Sequence, residues 1–429
     1  MAETSTLLRV AVIAALLAAG SCAPRTDATE PGAADRVVVR YPNPATFGEV
    51  QETVAARFET ANPGIDVRFL APAPDYDDMT QALLRGLMAG KAPDVAVLSF
   101  PGADHLGERG ALRDLSATEW SRSLGGAGGS RYCAPFALSA PVIYVNADLM
   151  RRAGRDPADP PDSWQEVAAL GRRLRAASGP RTQALWLPID SLPDWTWQIF
   201  LNGRGGEVID PSTGRVSAFR GPAAEAAMAD VAAVARSGLY VSSSNQALQA
   251  FTAGRLAMLV GSNAVLDRVL AQTGGRFALG LWLPPLQAPG AGYPMGGNCV
   301  AMPVGGEADP AAAEAYVRAL LAPETGLLVA RATGYLPASA EARAQSLTAF
   351  PPVAREVLGG LSEDRLRPWR AYPGARGLRV PTLIRRTLER LALDPAADEL
   401  DLLDRLARKV DTLTAGEPRP PDGRLPRET

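Results

Sequence analysis

Histidine is nearly absent from this chain: its 429 residues hold one, His105. Triads that need an imidazole base, and metal sites built from several histidines, therefore lack material. His105 itself, in a stretch with glycine and aspartate, reads as a solvated loop residue. Lysine is almost as scarce, with Lys91 and Lys409 alone, so nearly all positive charge is arginine. An excess of either charge is also missing. The 44 basic residues face 46 acidic ones for a formal net charge of -2, which leaves no clustered basic surplus for a nucleic acid. No Cys-x-x-Cys pair, P-loop or Gly-x-Gly-x-x-Gly opening a helix occurs, so zinc ribbons, nucleotide hydrolysis and dinucleotide cofactors have no support. Paired carboxylates for glycoside hydrolysis have no fixed spacing, yet no Asp or Glu stands in a distinctive context. No cofactor, no metal and no nucleic acid are expected.

The apolar run Val10 to Ala19 is too short to span a bilayer as a permanent helix. Arg9 precedes it, and Ala18-Ala19-Gly20-Ser21 leads into Cys22, so residues 1–22 read as an export signal. The arrangement resembles a bacterial lipoprotein signal, in which small residues precede a cysteine that becomes lipidated. The alternative is a plain secretory signal with an incidental cysteine. Residues 23–35, rich in Pro, Thr, Gly and Ala, read as a flexible tether. The protein is thus expected to be exported and lipid-anchored on the outer face of the cytoplasmic membrane, periplasmic in a Gram-negative cell. Such a compartment permits a disulfide between Cys133 and Cys299. The expectation is nonetheless of two isolated small hydrophobes.

A chain of this length calls for two or three domains, and 47% hydrophobic with 21% charged residues suits a globular protein. Val37 to Val39 form a short apolar strand, and Val50, Val54 and Phe58 follow at helical spacing. Ile65, Val67 and Phe69 alternate with charge. Met79, Leu83 and Leu87 stripe a second helix, and Asp94 to Leu98 is a third strand. Strand and helix in alternation indicate an α/β architecture with ligands beyond the strand ends, which makes Tyr76 and Ser99-Phe100 candidate cleft residues. Arg131 to Asn146, punctuated by Pro135 and Pro141, reads as an extended hinge between two bodies. Past it, Ser163 and Glu166 have the offset of a capping box, and Trp164 reads as core. The stretch Trp186 to Asn202 is the most aromatic in the chain. Trp195 and Trp197, among Asp194, Thr196 and Gln198, are expected in a cleft, where aromatic faces bury a sugar ring and polar groups hold its hydroxyls.

These residues occur in ordered motifs: Phe58-Glu59 with Asn62-Pro63-Gly64-Ile65; Gly90-Lys91-Ala92-Pro93-Asp94-Val95; Pro135-Phe136 through Pro141-Val142-Ile143-Tyr144-Val145-Asn146; Asp156-Pro157 with Pro160-Pro161-Asp162-Ser163-Trp164; Phe251 to Met258; Gly296-Gly297; and Gly334-Tyr335-Leu336-Pro337. Each is weak alone, but in this order the chain resembles the family 1 extracellular solute-binding proteins of bacterial ABC importers. The resemblance implies a two-lobed periplasmic-binding-protein-like α/β fold, each lobe a mostly parallel sheet flanked by helices, joined by hinge strands. The first lobe would comprise 36–140 with about 264–310, the second 141–263 with about 311–415, and 416–429 a disordered tail. It implies a monomeric, non-enzymatic lipoprotein that captures a carbohydrate or glycerol-phosphate-type solute by lobe closure and hands it to ABC permease membrane subunits. Gly377-Leu378-Arg379-Val380 with Ile384-Arg385 is similar to the glycerol-3-phosphate-binding branch. The ligand-binding residues then implied are Tyr76, Ser139, Trp195, Trp197, Ser262, Asn263, Gly296, Gly297 and Tyr335, with Arg385, or else Arg379, on a phosphate. Where that branch has a glutamate for glycerol hydroxyls, this chain has Phe100, so a sugar, an amino sugar or a glycerophosphodiester fits equally well. A secreted glycan-active enzyme and a cell-surface scaffold without a small ligand are the alternatives.

Overall fold

A computed structural model describes residues 35–415 apart from 119, 121–129, 180, 375 and 395, with the side chains of 44 and 45 also outside the description. The export signal, Cys22, residues 23–34 of the expected tether and the 416–429 tail lie outside the described residues, while Asp35, counted with the tether, begins the first strand.

In chain order the strands are β1 (Asp35–Arg40), β2 (Ile65–Phe69), β3 (Val95–Ser99), β4 (Ala134–Ser139), β5 (Pro141–Asn146), β6 (Gln183–Trp186), β7 (Leu256–Ser262), β8 (Leu279–Trp282), β9 (Tyr293–Ala301), β10 (Leu336–Pro337) and β11 (Leu366–Pro368). The α-helices are α1 (Pro44–Ala61), α2 (Tyr76–Met88), α3 (Phe100–Gly107), α4 (Ala147–Arg152), α5 (Trp164–Ser178), α6 (Pro193–Gly203), α7 (Gly221–Arg236), α8 (Ser244–Thr252), α9 (Leu266–Thr273), α10 (Pro310–Leu321), α11 (Pro323–Thr333), α12 (Ala340–Ser346), α13 (Pro352–Gly359), α14 (Val380–Leu393) and α15 (Glu399–Thr414).

Two sheets result. The first runs β10-β4-β9-β3-β1-β2, with β11 added along β9, and the second runs β6-β7-β5-β8. Pairing is parallel where strand–helix–strand units build the sheet, as in β1 with β2 and β3 and in β6 with β7. It is antiparallel where strands return from the other lobe, as in β9 with β3 and β4 and β5 with β7 and β8. Both sheets are therefore mixed rather than mostly parallel. Central β3 is wholly buried and reads VAVLS, whereas edge strand β2 keeps charged Asp66 and Arg68 outward.

β4 belongs to the first sheet and β5 to the second, so the chain changes lobes within one residue, Ala140. Ser139 is paired with Gly296 on one side of it, and Pro141 with Ser262 on the other. Buried Asn263 clips this crossover. Its Oδ1 accepts from the Ala140 N–H at 2.7 Å, and its Nδ2 donates to the Gly334 carbonyl at 2.6 Å.

The structure redraws the expected lobe boundaries. β8 pairs with β5, so residues 279–282 belong to the second sheet; β10 pairs with β4, so residues 336–337 belong to the first. α10 packs on β1 and α11 on α1, while α14 and α15 pack against α6 and α7. Cys133 and Cys299, expected to be separate, form a disulfide with Cα atoms 5.5 Å apart. They lie 166 positions apart in sequence, and only the folding of β9 against β4 brings them together. His105 also departs from expectation. It sits in α3, buried, and burial followed by the nearby Arg109 charge lowers its pKa to about 4, so it is a buried neutral imidazole in a helix rather than a solvated loop residue.

Candidate functional site

The crossover brings side chains of both lobes together. On the first lobe, Asp75 caps α2 by accepting from the Asp78 N–H at 2.8 Å, which places Tyr76 at the helix start. The Tyr76 hydroxyl lies 3.1 Å from that of Tyr335 and receives the Asn298 Nδ2–H at 3.0 Å. Tyr335 follows the left-handed Gly334 and packs its ring 5.3 Å from Phe47. Burial raises the pKa of both phenols, so both stay neutral hydrogen-bonding groups. Asn298 Oδ1 is buried with no protein partner.

At the junction, a Cβ built on Gly296 would meet Ser139 Oγ at 2.8 Å and Trp195 Nε1 at 3.2 Å. Ser139, Gly296 and Trp195 thus share one small space that any side chain at 296 would fill. Gly297 adopts φ +110, and its Cβ would fall 2.0 Å from the Ala137 carbonyl oxygen, so only glycine fits there.

On the second lobe, α6 opens with Pro193 and presents Asp194 and Trp195. Trp195 Nε1 donates to the Pro294 carbonyl at 3.1 Å, and Trp369 Nε1 donates to Asp194 Oδ2 at 2.8 Å. Asp194 is 8% exposed and makes no ion pair among the described residues. Burial pushes its pKa up to about 6; the Trp369 hydrogen bond opposes this, and the Asp77 charge on the first lobe adds to it. The Tyr372 hydroxyl, on a ring 3% exposed, has no protein hydrogen-bond partner, and burial and then the Asp194 charge raise its pKa. The segment carrying Trp369 and Tyr372 is pinned to α6 by reciprocal 3.1 Å bonds between the Gln198 amide and the Arg370 backbone. It is tied to the first lobe by Arg109, which donates to the Gly374 carbonyl at 2.8 Å.

Other expected site residues are engaged in contacts of their own. Trp197 is two residues past Trp195, roughly 200° around the helix, so the two indoles leave α6 on opposite sides; Trp195, itself 2% exposed, lies on the side of Ser139 and Gly296. Trp197 is fully buried, stacks 5.7 Å from Phe219 and donates to the Ala218 carbonyl at 3.1 Å, which makes it core. Asn263 is spent on the crossover. Ser262 Oγ accepts from the Ala264 N–H at 3.1 Å, a local turn cap. Ser99 caps α3 by accepting from the Gly102 N–H at 3.2 Å, and Phe100 is buried among apolar neighbours. Arg385 sits half-buried on α14 without an ion pair among the described residues. Arg379 lines a surface groove of about 460 Å³ with Arg386 and Lys409.

Asn298, Asp194, Trp369 and Tyr372 escaped the sequence reading. In the sequence Asp194 reads only as a polar neighbour of Trp195 and Trp197 and is not singled out as a site residue. Asn298 directly follows the paired glycines. Trp369 and Tyr372 lie in an irregular stretch with no periodicity to place them. Among the described residues there is no His/Cys/Asp/Glu group suited to a metal, and no helix is long and apolar enough to cross a membrane.

Residues 53–352 match the family model described as bacterial extracellular solute-binding protein. The chain is 24% identical over 318 residues to the sn-glycerol-3-phosphate-binding periplasmic protein UgpB of Salmonella typhimurium, covering 68% of this chain and 71% of that one. Its fold is similar to UgpB of Mycobacterium tuberculosis, solved with glycerophosphocholine: TM-score 0.72, 24% identity, 87% of this chain and 97% of that one. It is also similar to the GacH receptor of Streptomyces glaucescens, solved unliganded and with acarbose: TM-score 0.73, 19% identity, 89% and 99% covered.

Proposed function

Because this chain belongs to the bacterial extracellular solute-binding protein family, we propose that it captures a small polar solute between its two lobes for an ABC importer. The solute class is a carbohydrate or a glycerol-phosphate compound, following the relatives for sn-glycerol 3-phosphate and the neighbours solved with glycerophosphocholine and acarbose. One observation carries this reading. The second-lobe Trp195 shares one small space with Ser139 and Gly296 beside the one-residue crossover, the first-lobe Tyr76 and Tyr335 form a hydrogen-bond chain with Asn298 of the same strand as Gly296, and the buried Asn298 Oδ1 and Tyr372 OH have no hydrogen-bond partner among the described residues. Buried polar atoms are costly without a partner, so a solute that satisfies them gains affinity.

A solute touching both walls stabilises the arrangement in which they face each other, and lobe closure follows from that differential affinity. The loaded form is then the one offered to the permease. The chain acts by binding and release rather than by turnover. The glycan-active enzyme and the ligand-free scaffold are not favoured by the relatives, which are binding proteins. Lipid anchoring through Cys22 fits an exported position, and the Cys133–Cys299 disulfide suits an oxidising compartment. Palmitate labelling of cells, lost in Cys22→Ala, tests the anchor. The binding reading is tested by calorimetry with glycerophosphocholine, sn-glycerol 3-phosphate and maltose. Saturable heat with one of them supports it, and no heat with any of the three overturns it.

A further inference from the structure

The second-lobe wall carries a charge that the protein does not neutralise. Asp194 is nine-tenths buried, its one side-chain donor is the neutral Trp369 indole at 2.8 Å, and no arginine or lysine pairs with it among the described residues. The arginine of the adjoining segment, Arg370, is exposed, and its charge acts on Asp104 of α3 instead. Across the cleft the nearby charge is another carboxylate, that of Asp77 at the start of α2, which also lacks an ion pair. A buried carboxylate with a second carboxylate nearby and no cation is unfavourable. A second and independent observation lies beside them. The Tyr372 hydroxyl is buried, has no protein hydrogen-bond partner, and sits within reach of the Asp194 charge.

We propose that Asp194, with Asp77 opposite and Tyr372 beside it, receives a cationic, ammonium-type end of the bound solute. A single positive charge compensates Asp194 and offsets its repulsion with Asp77, and Trp369 and Tyr372 are aromatic neighbours of the kind with which ammonium groups interact. A phosphate placed at this end is repelled by both carboxylates. A neutral diol donates hydrogen bonds but leaves the charge in place. The inference rests on the solute-binding reading and sharpens it, since it selects among polar solutes those carrying a positive charge.

Calorimetry on the mature chain separates the two claims. The probes are glycerophosphocholine, which carries an ammonium, and sn-glycerol 3-phosphate and maltose, which do not. The expected result is a preference of at least roughly tenfold for glycerophosphocholine, the order of one desolvated ion-pair or cation–π contact. Asp194→Asn removes most of that preference. Asp77→Asn, at an exposed position where folding is not at stake, removes part of it. Circular dichroism confirms that each variant is folded. Equal or weaker binding of glycerophosphocholine, or a preference that survives both substitutions, overturns the inference while solute binding stands. No binding of any probe overturns both.

Discussion

The two walls of the proposed site are built on different principles. The first-lobe wall is bonded within itself at all but one atom: Tyr76, Tyr335 and the Asn298 Nδ2 form a hydrogen-bond chain, Asn298 Oδ1 stays open among the described residues, and these side chains stand on elements tied together by the β4–β9 pairing and the Cys133–Cys299 disulfide. The second-lobe wall leaves accounts open, with a buried carboxylate and a buried phenol that no protein cation or acceptor completes. A network bonded mostly within itself gives a solute a fixed surface to rest on. One with open groups gains from the solute that completes it, so the proposed function assigns discrimination chiefly to the second wall and positioning to the first.

The comparison can be broken from behind the second wall first. Trp197→Ala removes a fully buried indole from the second-lobe core and is expected to cost about 3–5 kcal/mol of stability. The fraction that stays folded should keep its ligand affinity; a large affinity loss without a stability loss would move Trp197 into the cleft. On the first wall, replacing Cys133 and Cys299 together by serine opens a link spanning 166 positions and should lower stability by about 2–4 kcal/mol. Equal urea midpoints for the two proteins would show that the bond is not formed.

Asp194 gives a pH signature. Its folded pKa of about 6 exceeds the ordinary 3.8, so the folded state takes up a proton that the unfolded state releases. This contribution to stability is fully present below pH 4 and is lost as the pH rises through 6. The loss amounts to about 3 kcal/mol. Asp194→Asn cannot ionise, so its melting temperature relative to the parent should climb between pH 4 and 7 and then level off. A difference independent of pH would mean that the carboxylate is compensated. The smallest effect is expected from Tyr76→Phe, which loses the bonds to Tyr335 and Asn298 and should cost about 1 kcal/mol at every pH.

What could be read in the sequence was whatever is encoded locally. Strand β2 follows from the alternation of Ile65, Val67 and Phe69 with charge, and the start of α5 from Ser163, whose Oγ accepts from the Glu166 N–H at 3.2 Å. Helix α11 begins at Pro323 and ends at Gly334 as proline and glycine dictate. The crossover at Ala140 was legible because Pro135 and Pro141 mark an extended ribbon. Features set by distant partners were not. β10 is two residues long, too short for any periodicity, so the return of 310–337 to the first lobe could not be seen. The pairing of Cys133 with Cys299 depends on a strand register rather than on spacing. Within the site, aromatic content flagged α6 but could not tell Trp195 from Trp197, because composition carries no helical phase. Asp194 was not singled out because its side-chain partner, Trp369, lies 175 positions away.

The measurement that bears most directly on the account is calorimetric titration of the folded chain and of Trp195→Ala with glycerophosphocholine, sn-glycerol 3-phosphate and maltose. The account predicts saturable binding of at least one probe and a loss of about 1–3 kcal/mol of binding energy in the variant, the range for losing an aromatic platform. Binding of equal strength in both proteins, or no binding by the parent chain, would contradict it.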